Sequence, residues 1–543
     1  MHMKIALVQI NSLVGDLNFN FNKLVSHVKA CARNGAGLVV FSECVLTGYP
    51  PQDLLNYNFF IDNIHITIEK IKQASLDFPD VAICFGTPYK DADQLFNSVC
   101  VIQNGKLIFV QHKFQLPNYD VFDDKRYFSS ATSQSIFVFN GYRIGFIVCE
   151  DAWVLNDDIN SYKPIDFFQT EGIDILINLS ASPFEIGKDT IRFNLFLQHA
   201  KALDVPVIMV NQVGANDQLI FDGNSFAISS LGDVFCQLAA FEEDSAIIDL
   251  KKTVTGTHAY AVSPIINSIH DALVLGIRDY VFKTGFKDVV IGLSGGIDSA
   301  VTCVLAVRAL GASHVKGVSL PSQFSSEGSL VDAKALAETL GIDYSVISID
   351  ATYNQLLTDL SPVFTDLVPD VTEENIQARS RGVLLMAIAN KFNSLVLATG
   401  NKSELAMGYC TLYGDMSGAL SVLGDVSKTR VYELASYINN RSIVIPENSI
   451  NKPPSAELRP NQKDSDSLPS YDTLDAIIEK YIEQGLSTKD IINQGYDNDI
   501  VYDVIKKLNQ NEYKRFQAAI VLRITSKSFG MGRRFPIASN YEY

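Results

Sequence analysis

Histidine is missing from every position after His314, so most of the second half of the 543-residue chain must do its chemistry with carboxylates, lysines and hydroxyls. A metal held there would meet oxygen ligands, which favours Mg2+ over zinc. The eight cysteines are scattered and no two form a CxxC pair. That spacing argues against structural zinc and points to a reduced, cytoplasmic protein. Basic residues are scarce as well: 44 Lys and Arg against 61 Asp and Glu leave a net charge of −17. A nucleic-acid partner needs a basic surface and is not expected. No apolar run reaches the length of a bilayer span, so no membrane partner is expected either. Met1-His-Met-Lys leads directly into the strand-like Ile5–Ile10, and no signal peptide is expected. Internal repeats and low-complexity tracts are also lacking.

A hydrophobic content of 47% with 19% charged residues is ordinary for globular protein, but the chain is too long for one core. The stretch from Asp249 to His258 is polar and without pattern, and the amphipathic segment Ser263–Thr284 follows it. The expected domains are therefore 1–258 and 259–543. In the first, β-rich runs at 4–10, 37–42, 81–86, 98–112, 135–149, 174–179, 206–211, 223–238 and 245–249 alternate with helical segments 20–33 and 58–75. Two mixed sheets covered by helices are predicted.

Three residues there sit at strand ends: Glu43 in Phe41-Ser-Glu-Cys, Lys113 in Val110-Gln-His-Lys, and Cys149 in Phe146-Ile-Val-Cys-Glu-Asp-Ala-Trp. A thiol nucleophile, a carboxylate base and an ammonium for the oxyanion are what acyl transfer from an amide requires. Each alone also fits a bland role: Cys149 as core, Glu43 and Lys113 as surface charges. Lys113, read as a surface-type lysine, is expected to contribute little to stability.

In the second domain Asp288-Val-Val-Ile-Gly-Leu is a buried-strand pattern, and Ala300–Leu310 is helical in composition with Gly311 as its stop. Gly292, Leu293, Ser294, Gly295, Gly296, Ile297, Asp298 and Ser299 thus form a strand-to-helix turn. Backbone N–H groups and the helix dipole favour an anion there. The glycines would bring phosphate oxygens close to the backbone, the serines would donate, and Asp298 would hold a metal on those phosphates. Strands at 315–320 and 344–350 and a helix at 329–340 predict a parallel nucleotide-binding sheet. Another helix is expected to begin at Asn375. Thr399 and Glu404 follow the strand 394–398; Glu404 would be a second metal carboxylate or a helix N-terminal cap. Lys428 and Arg430 open a helix against its dipole, which an anionic ligand would explain. The Pro-rich polar stretch 452–469 is a lid over phosphates or a solvated loop.

The strings Leu46-Thr-Gly-Tyr-Pro-Pro, Leu116-Pro-Asn-Tyr and Val148-Cys-Glu-Asp-Ala-Trp resemble the glutamine-hydrolysing branch of the nitrilase superfamily. Ser294-Gly-Gly-Ile-Asp-Ser resembles the pyrophosphate loop of ATP pyrophosphatases. Together with Asn375-Ile-Gln-Ala-Arg, Thr399-Gly-Asn-Lys-Ser-Glu, Lys452-Pro-Pro-Ser-Ala-Glu-Leu and Ser528-Phe-Gly-Met-Gly-Arg-Arg-Phe-Pro, nearly the whole chain is similar to the family of glutamine-dependent NAD+ synthetases. Small departures are Ser470, where a proline is expected, and Phe516, where an arginine is.

The resemblance implies an α/β protein: a nitrilase-like α-β-β-α sandwich followed by a Rossmann-like parallel-sheet adenine-nucleotide domain. It assigns Glu43, Lys113 and Cys149 to a glutaminase triad, with Tyr119, Ser182 and Lys188 on glutamine. It assigns Gly292–Ser299 and Thr399 to ATP, and Asn375, Glu404 and Lys514 to deamido-NAD+. Mg2+ would lie on Asp298 and Glu404. The implied activity is amidation of AMP-activated deamido-NAD+ by ammonia from glutamine, in a homo-oligomer of at least two chains. Alternatives are an amidotransferase acting on another carboxylate or carbonyl, a tRNA-modifying ATP pyrophosphatase, which the charge disfavours, and a silent nucleotide-binding regulator, which the triad disfavours.

Overall fold

Two six-stranded sheets form the centre of the first half, in a computed structural model that describes residues 3–153, 163–249, 259–440 and 442–539. The chain divides into the units Met1–Ser263 and Pro264–Tyr543. Of the stretch in which a boundary was expected, residues 250–258 lie outside the described residues.

In the first unit one sheet runs in the order Asp244–Asp249, Lys4–Gln9, Leu38–Val40, Ala82–Asp91, Gln94–Gln103 and Lys106–His112. The other runs Val234–Gln237, Phe226–Ile228, Val207–Asn211, Ile175–Ser180, Tyr142–Val148 and Ile136–Phe139. Both are mixed, with parallel pairs at the centre and antiparallel strands at the edges. Each strand alternates side chains between two faces, so each sheet must be covered twice. Ile5, Leu7, Leu38 and Val40 meet Phe146, Val148, Ile177 and Leu179 between the sheets. Helices Leu17–Arg33 and Asn58–Ala74 cover the outer face of the first sheet through Leu24, Val28, Ile64 and Ile68. Helices Pro164–Glu171 and Lys188–Leu203 cover the second through Phe168, Leu195 and Phe196. The result is the α-β-β-α sandwich.

Two details differ from the sequence reading. The run 223–238 is two short strands, because the chain turns at 229–232 with Gly232 at φ +95°. A hairpin, Val213–Asn216 with Leu219–Asp222, was not anticipated; Asp217 at φ +53° makes its turn.

The second unit holds a six-stranded parallel sheet in the order Asp343–Val346, Val315–Ser319, Val289–Gly292, Leu395–Ala398, Leu420–Ser421 and Ile520–Val521. The chain starts in the middle, winds to one edge and returns to build the other. Such a sheet leaves a crevice at the carboxyl ends of its two central strands. Those ends are Gly292 and Ala398, the strands that lead into the Ser294–Ser299 turn and into Glu404. The helix expected from Asn375 starts earlier, spanning Val371–Phe392, because Asp370 and Glu373 form a capping box at its N-terminus. The strand expected over 344–350 ends at Val346, and Asp350 already begins a helix.

Gly86 fixes one of the close approaches that position the first unit's site. A Cβ there would come within 2.6 Å of Glu43 Cα and of Cys44 N. Backbone cannot yield as a flexible side chain can. Gly86→Ala is therefore expected to lower stability by about 1–3 kcal/mol and to displace Glu43, seen as a lower Tm.

Candidate active sites

Glu43, Lys113 and Cys149 come together in the first unit, each just past the end of its strand and each buried. Glu43 Oε1 accepts from Lys113 Nζ at 2.7 Å and from Asn97 Nδ2 at 2.7 Å, and its Oε2 accepts from the Ala181 N–H at 2.7 Å. Lys113 donates a second bond to Asp124 Oδ2 at 2.9 Å, and Tyr49 OH donates to Asp124 Oδ1 at 2.9 Å. Lys113 is 1% exposed, not a surface lysine. Burial alone would lower its proton affinity, but Asp124 and Glu43 outweigh burial and hold it well above the usual lysine range. It is a fixed positive charge.

Cys149 stands at φ +43° where the strand Tyr142–Val148 turns into the short helix Cys149–Ala152. Burial pushes its thiol well above the ordinary range; Glu43 pushes further, while Lys113 and the Ala181 N–H oppose. The resting sulfur is a thiol, and it needs a base to react. Asp151 ties this turn to the lysine segment: its Oδ1 accepts from Phe114 N at 3.0 Å and Gln115 N at 2.7 Å, and its Oδ2 from Val148 N at 3.0 Å. Burial pushes that carboxyl up to about 7 against those three donors.

The three expected glutamine contacts are placed around this centre in different ways. Tyr119 is 55% exposed and donates to both oxygens of Glu150, at 2.9 and 3.0 Å. Lys188 pairs with Glu185 at 3.1 Å and lies 5.9 Å from the Trp153 ring. Ser182 is buried, with its backbone held by Asn211. Asp124, Asn97, Tyr49 and Asn211 were not picked out from the sequence. Asp124 closes the same string as Lys113, and that proximity was the one available signal.

In the second unit a cavity of about 320 Å³ opens at the carboxyl ends of the central strands. Gly292, Leu293, Ser294, Gly296, Ile297, Asp298, Ser299, Thr399 and Glu404 line it. Gly295 does not: at φ +76° its missing Cβ would lie 2.2 Å from Ser329 O. This glycine makes room for the start of helix Glu327–Leu340. Asn375 and Lys514 are also absent from the lining. Asn375 accepts from Thr411 Oγ1 at 2.7 Å, and Lys514 donates to the carbonyls of Gly408 and Cys410 at 2.7 and 2.9 Å. Both support the 408–411 segment, of which Cys410 lines the cavity.

Asp298 accepts from Asn401 Nδ2 at 2.9 Å and pairs with Lys428 Nζ, which is 3.7 Å from Glu404 Oε1. Lys428 thus meets protein carboxylates at the helix start where an external anion was expected. Burial pushes the Glu404 carboxyl up to about 8, with Asp298 adding and Lys428 opposing. Glu404 also caps its own helix, its Oε2 accepting from Asn401 N at 3.3 Å, which is the capping role expected for it. Lys428, Arg381 and Lys452 are the cations on the lining, which also includes residues 453–458 of the expected lid. Gln377 Nε2 holds that segment through Leu458 O at 2.9 Å, and Glu457 accepts from Ser329 Oγ at 2.7 Å.

Two family models match the chain: carbon-nitrogen hydrolase over residues 4–259 and NAD synthase over residues 269–518. A curated glutamine-dependent NAD(+) synthetase of Synechocystis sp. is 42% identical, covering 99% of both chains. That of Acinetobacter baylyi is also 42% identical, over 99% of this chain and 98% of the other. Among solved structures, the glutamine-dependent NAD+ synthetase of Acinetobacter baumannii in complex with ADP is 38% identical with a TM-score of 0.78, covering 99% of this chain and 98% of that one.

The burial of Lys113 reverses the expectation for its removal. Lys113→Ala would leave Glu43 and Asp124 as uncompensated buried charges, at a cost of about 3–5 kcal/mol. Equilibrium denaturation should show that loss alongside the loss of activity.

Proposed function

Because the chain belongs to the family of glutamine-dependent NAD(+) synthetases, an ATP-dependent ligase that draws its nitrogen from glutamine, we propose that its first unit releases ammonia at Cys149 and its second unit spends it at the Ser294–Ser299 cavity. The observation that carries this division is the pairing, in one chain, of a buried Glu43–Lys113 couple beside a cysteine with a strand-end phosphate turn that faces a cavity.

In the first unit Cys149 Sγ attacks the side-chain carbonyl carbon of glutamine while its proton passes to Glu43. Lys113 has three hydrogens, and Glu43 and Asp124 take two. The third is left for the developing oxyanion. Glu43 returns the proton to the leaving nitrogen, ammonia departs, and Glu43 then activates water to free glutamate from the thioester. Lys188, Tyr119 and Ser182 hold the amino-acid end of the substrate.

In the second unit the pyridine carboxylate of deamido-NAD+ attacks the α-phosphorus of ATP, pyrophosphate leaves, and ammonia displaces AMP from the adenylate. A carboxylate needs this activation because hydroxide leaves poorly. The Ser294–Ser299 turn, Thr399, Arg381, Lys428 and Lys452 face the phosphates. Glu404 borders both substrates, and Asn375 and Lys514 act on deamido-NAD+ by shaping the 408–411 segment. Asp298 and Glu404 present hard oxygen donors to the same cavity, a set that fits Mg2+ together with phosphate oxygens. Bound there, Mg2+ would neutralise charge gathering on pyrophosphate.

Eight free cysteines fit a reducing cytoplasm. Among the described residues no helix is long and apolar enough to cross a membrane. The exposed Val363, Leu367, Val368 and Val371 support a homo-oligomer of at least two chains.

Two measurements test the division. Cys149→Ala should abolish NAD+ formation from glutamine and spare formation from added ammonia; loss of both in a folded variant would refute separate sites. Asp298→Asn should slow pyrophosphate release by on the order of a hundredfold at limiting Mg2+, with partial recovery at high Mg2+ and glutaminase retained. A parental rate at limiting Mg2+ would remove the metal assignment.

A further inference from the structure

A buried polar chain in the first unit runs from an arginine to the peptide beside Cys149. Asn211 ends the strand Val207–Asn211 and is fully buried. Its Oδ1 accepts from Ser182 N at 2.8 Å and its Nδ2 donates to Ser182 O at 3.3 Å, so one amide grips both backbone groups of one residue. The grip works in one orientation only, because a turned amide would set donor against donor and acceptor against acceptor. Asp222 reinforces that orientation: its Oδ1 accepts from Asn211 Nδ2 at 3.3 Å, and a carboxylate can only accept. Its Oδ2 meets the Arg192 guanidinium.

Asp222 and Arg192 are 3% and 1% exposed. Arg192 Nε and Nη1 find no hydrogen-bond partner among the described residues. A guanidinium buried for a single carboxylate is poor value for stability, since desolvation can exceed the Coulombic gain. What the pair orients explains it better. Ala181, the neighbour of Ser182, donates its N–H to Glu43 Oε2 at 2.7 Å. The same backbone segment favours the Cys149 thiolate, against burial and Glu43, which push the thiol up.

We propose that Asp222 and Asn211 are positioning residues of the amide-cleaving centre: they lock the Ala181–Ser182 segment so that its backbone serves Glu43 and Cys149 together, with Arg192 as the counter-charge that lets Asp222 sit in the core. The role as an amide-cleaving centre rests on the function proposed above; the lock itself does not.

Asp222→Asn leaves a single acceptor oxygen for which Arg192 and Asn211 Nδ2 must compete, with a donor in place of the other oxygen, and Asn211→Leu removes the grip without stranding a new charge. In both, kcat for glutamine hydrolysis should fall at least about tenfold, while NAD+ formation from added ammonia stays within about twofold of the parental rate. Iodoacetamide labelling of Cys149, followed by peptide mass spectrometry from about pH 6 to 10, should show a midpoint raised by at least about half a unit. An unmoved labelling midpoint with parental kcat in both variants overturns the proposal. So does a change confined to KM, or loss of the first unit's thermal transition in both variants, which would make the chain purely structural. A parental protein that does not hydrolyse glutamine would instead count against the proposed function, while the labelling comparison, which needs no substrate, still decides the lock.

Discussion

Buried lysine shared between two carboxylates is the interaction on which both units depend. Lys113 lies between Glu43 and Asp124, Lys402 between Asp425 and Glu483 at 2.9 and 2.7 Å, and Lys428 between Asp298 and Glu404. Each ammonium is nearly or fully withdrawn from water, which costs several kcal/mol by itself. One carboxylate would not reliably repay that cost. Two do, and each of the three lysines is held more basic than a free one. The partners come from separate parts of the chain, so each cluster can form only when several loops have reached their final places. Removing Lys113 leaves two buried carboxylates without their cation.

This arrangement gives the first unit a centre whose charges are fixed before substrate arrives. Glu43 is bound on both oxygens, Lys113 is pinned from two sides, and Ala181 is held through Ser182 and Asn211. Preorganised groups need not reorient as charge develops, which is the main source of electrostatic stabilisation in such sites. The cost is a thiol pushed well above its ordinary range by burial and by the neighbouring carboxylate. In the proposed reaction nucleophile and base are therefore coupled: the sulfur acquires charge only as Glu43 takes its proton.

Strand-end chemistry was legible in the sequence because parallel strands bring consecutive carboxyl ends to one rim. Asp298 and Glu404 follow from that rule, beyond the two central strands of one parallel sheet. Glu43 and Lys113 close strands of one sheet and Cys149 a strand of the other, so there the rule marks each residue singly and the family resemblance groups them. Partners reached across the fold were not legible. Asp124, Asn97 and Asn211 sit in segments whose local pattern is ordinary, and their importance comes from which loop each one meets. Local rules also failed where two explanations shared a residue. Gly295 has the signature of a phosphate contact, yet its space is taken by Ser329. The helix that contains Asn375 was placed too late because a capping box at Asp370 and Glu373 precedes the family string. Asn375 and Lys514 were read from the sequence for a ligand alone, and their hydrogen bonds to Thr411 and to the Gly408 and Cys410 carbonyls could not be read there.

The lack of histidine in the second unit beyond His314 has a counterpart in its cavity. Burial pushes Glu404 up to about 8, Asp415 up to about 6, and Asp464 above the usual carboxylate range. All three line the cavity with Asp298. A pocket rich in carboxylates should repel a polyphosphate, and Lys428 is already committed to two of them. Such a site can accept ATP only if positive charge enters with the phosphates or if carboxyls stay protonated until it does. Glu404, pushed up to about 8, meets the second condition at neutral pH, and hard oxygen donors meet the first. On the proposed reading the acidic lining makes charge compensation a condition of nucleotide entry, and burial shifts Glu404 toward the range where imidazole would otherwise serve.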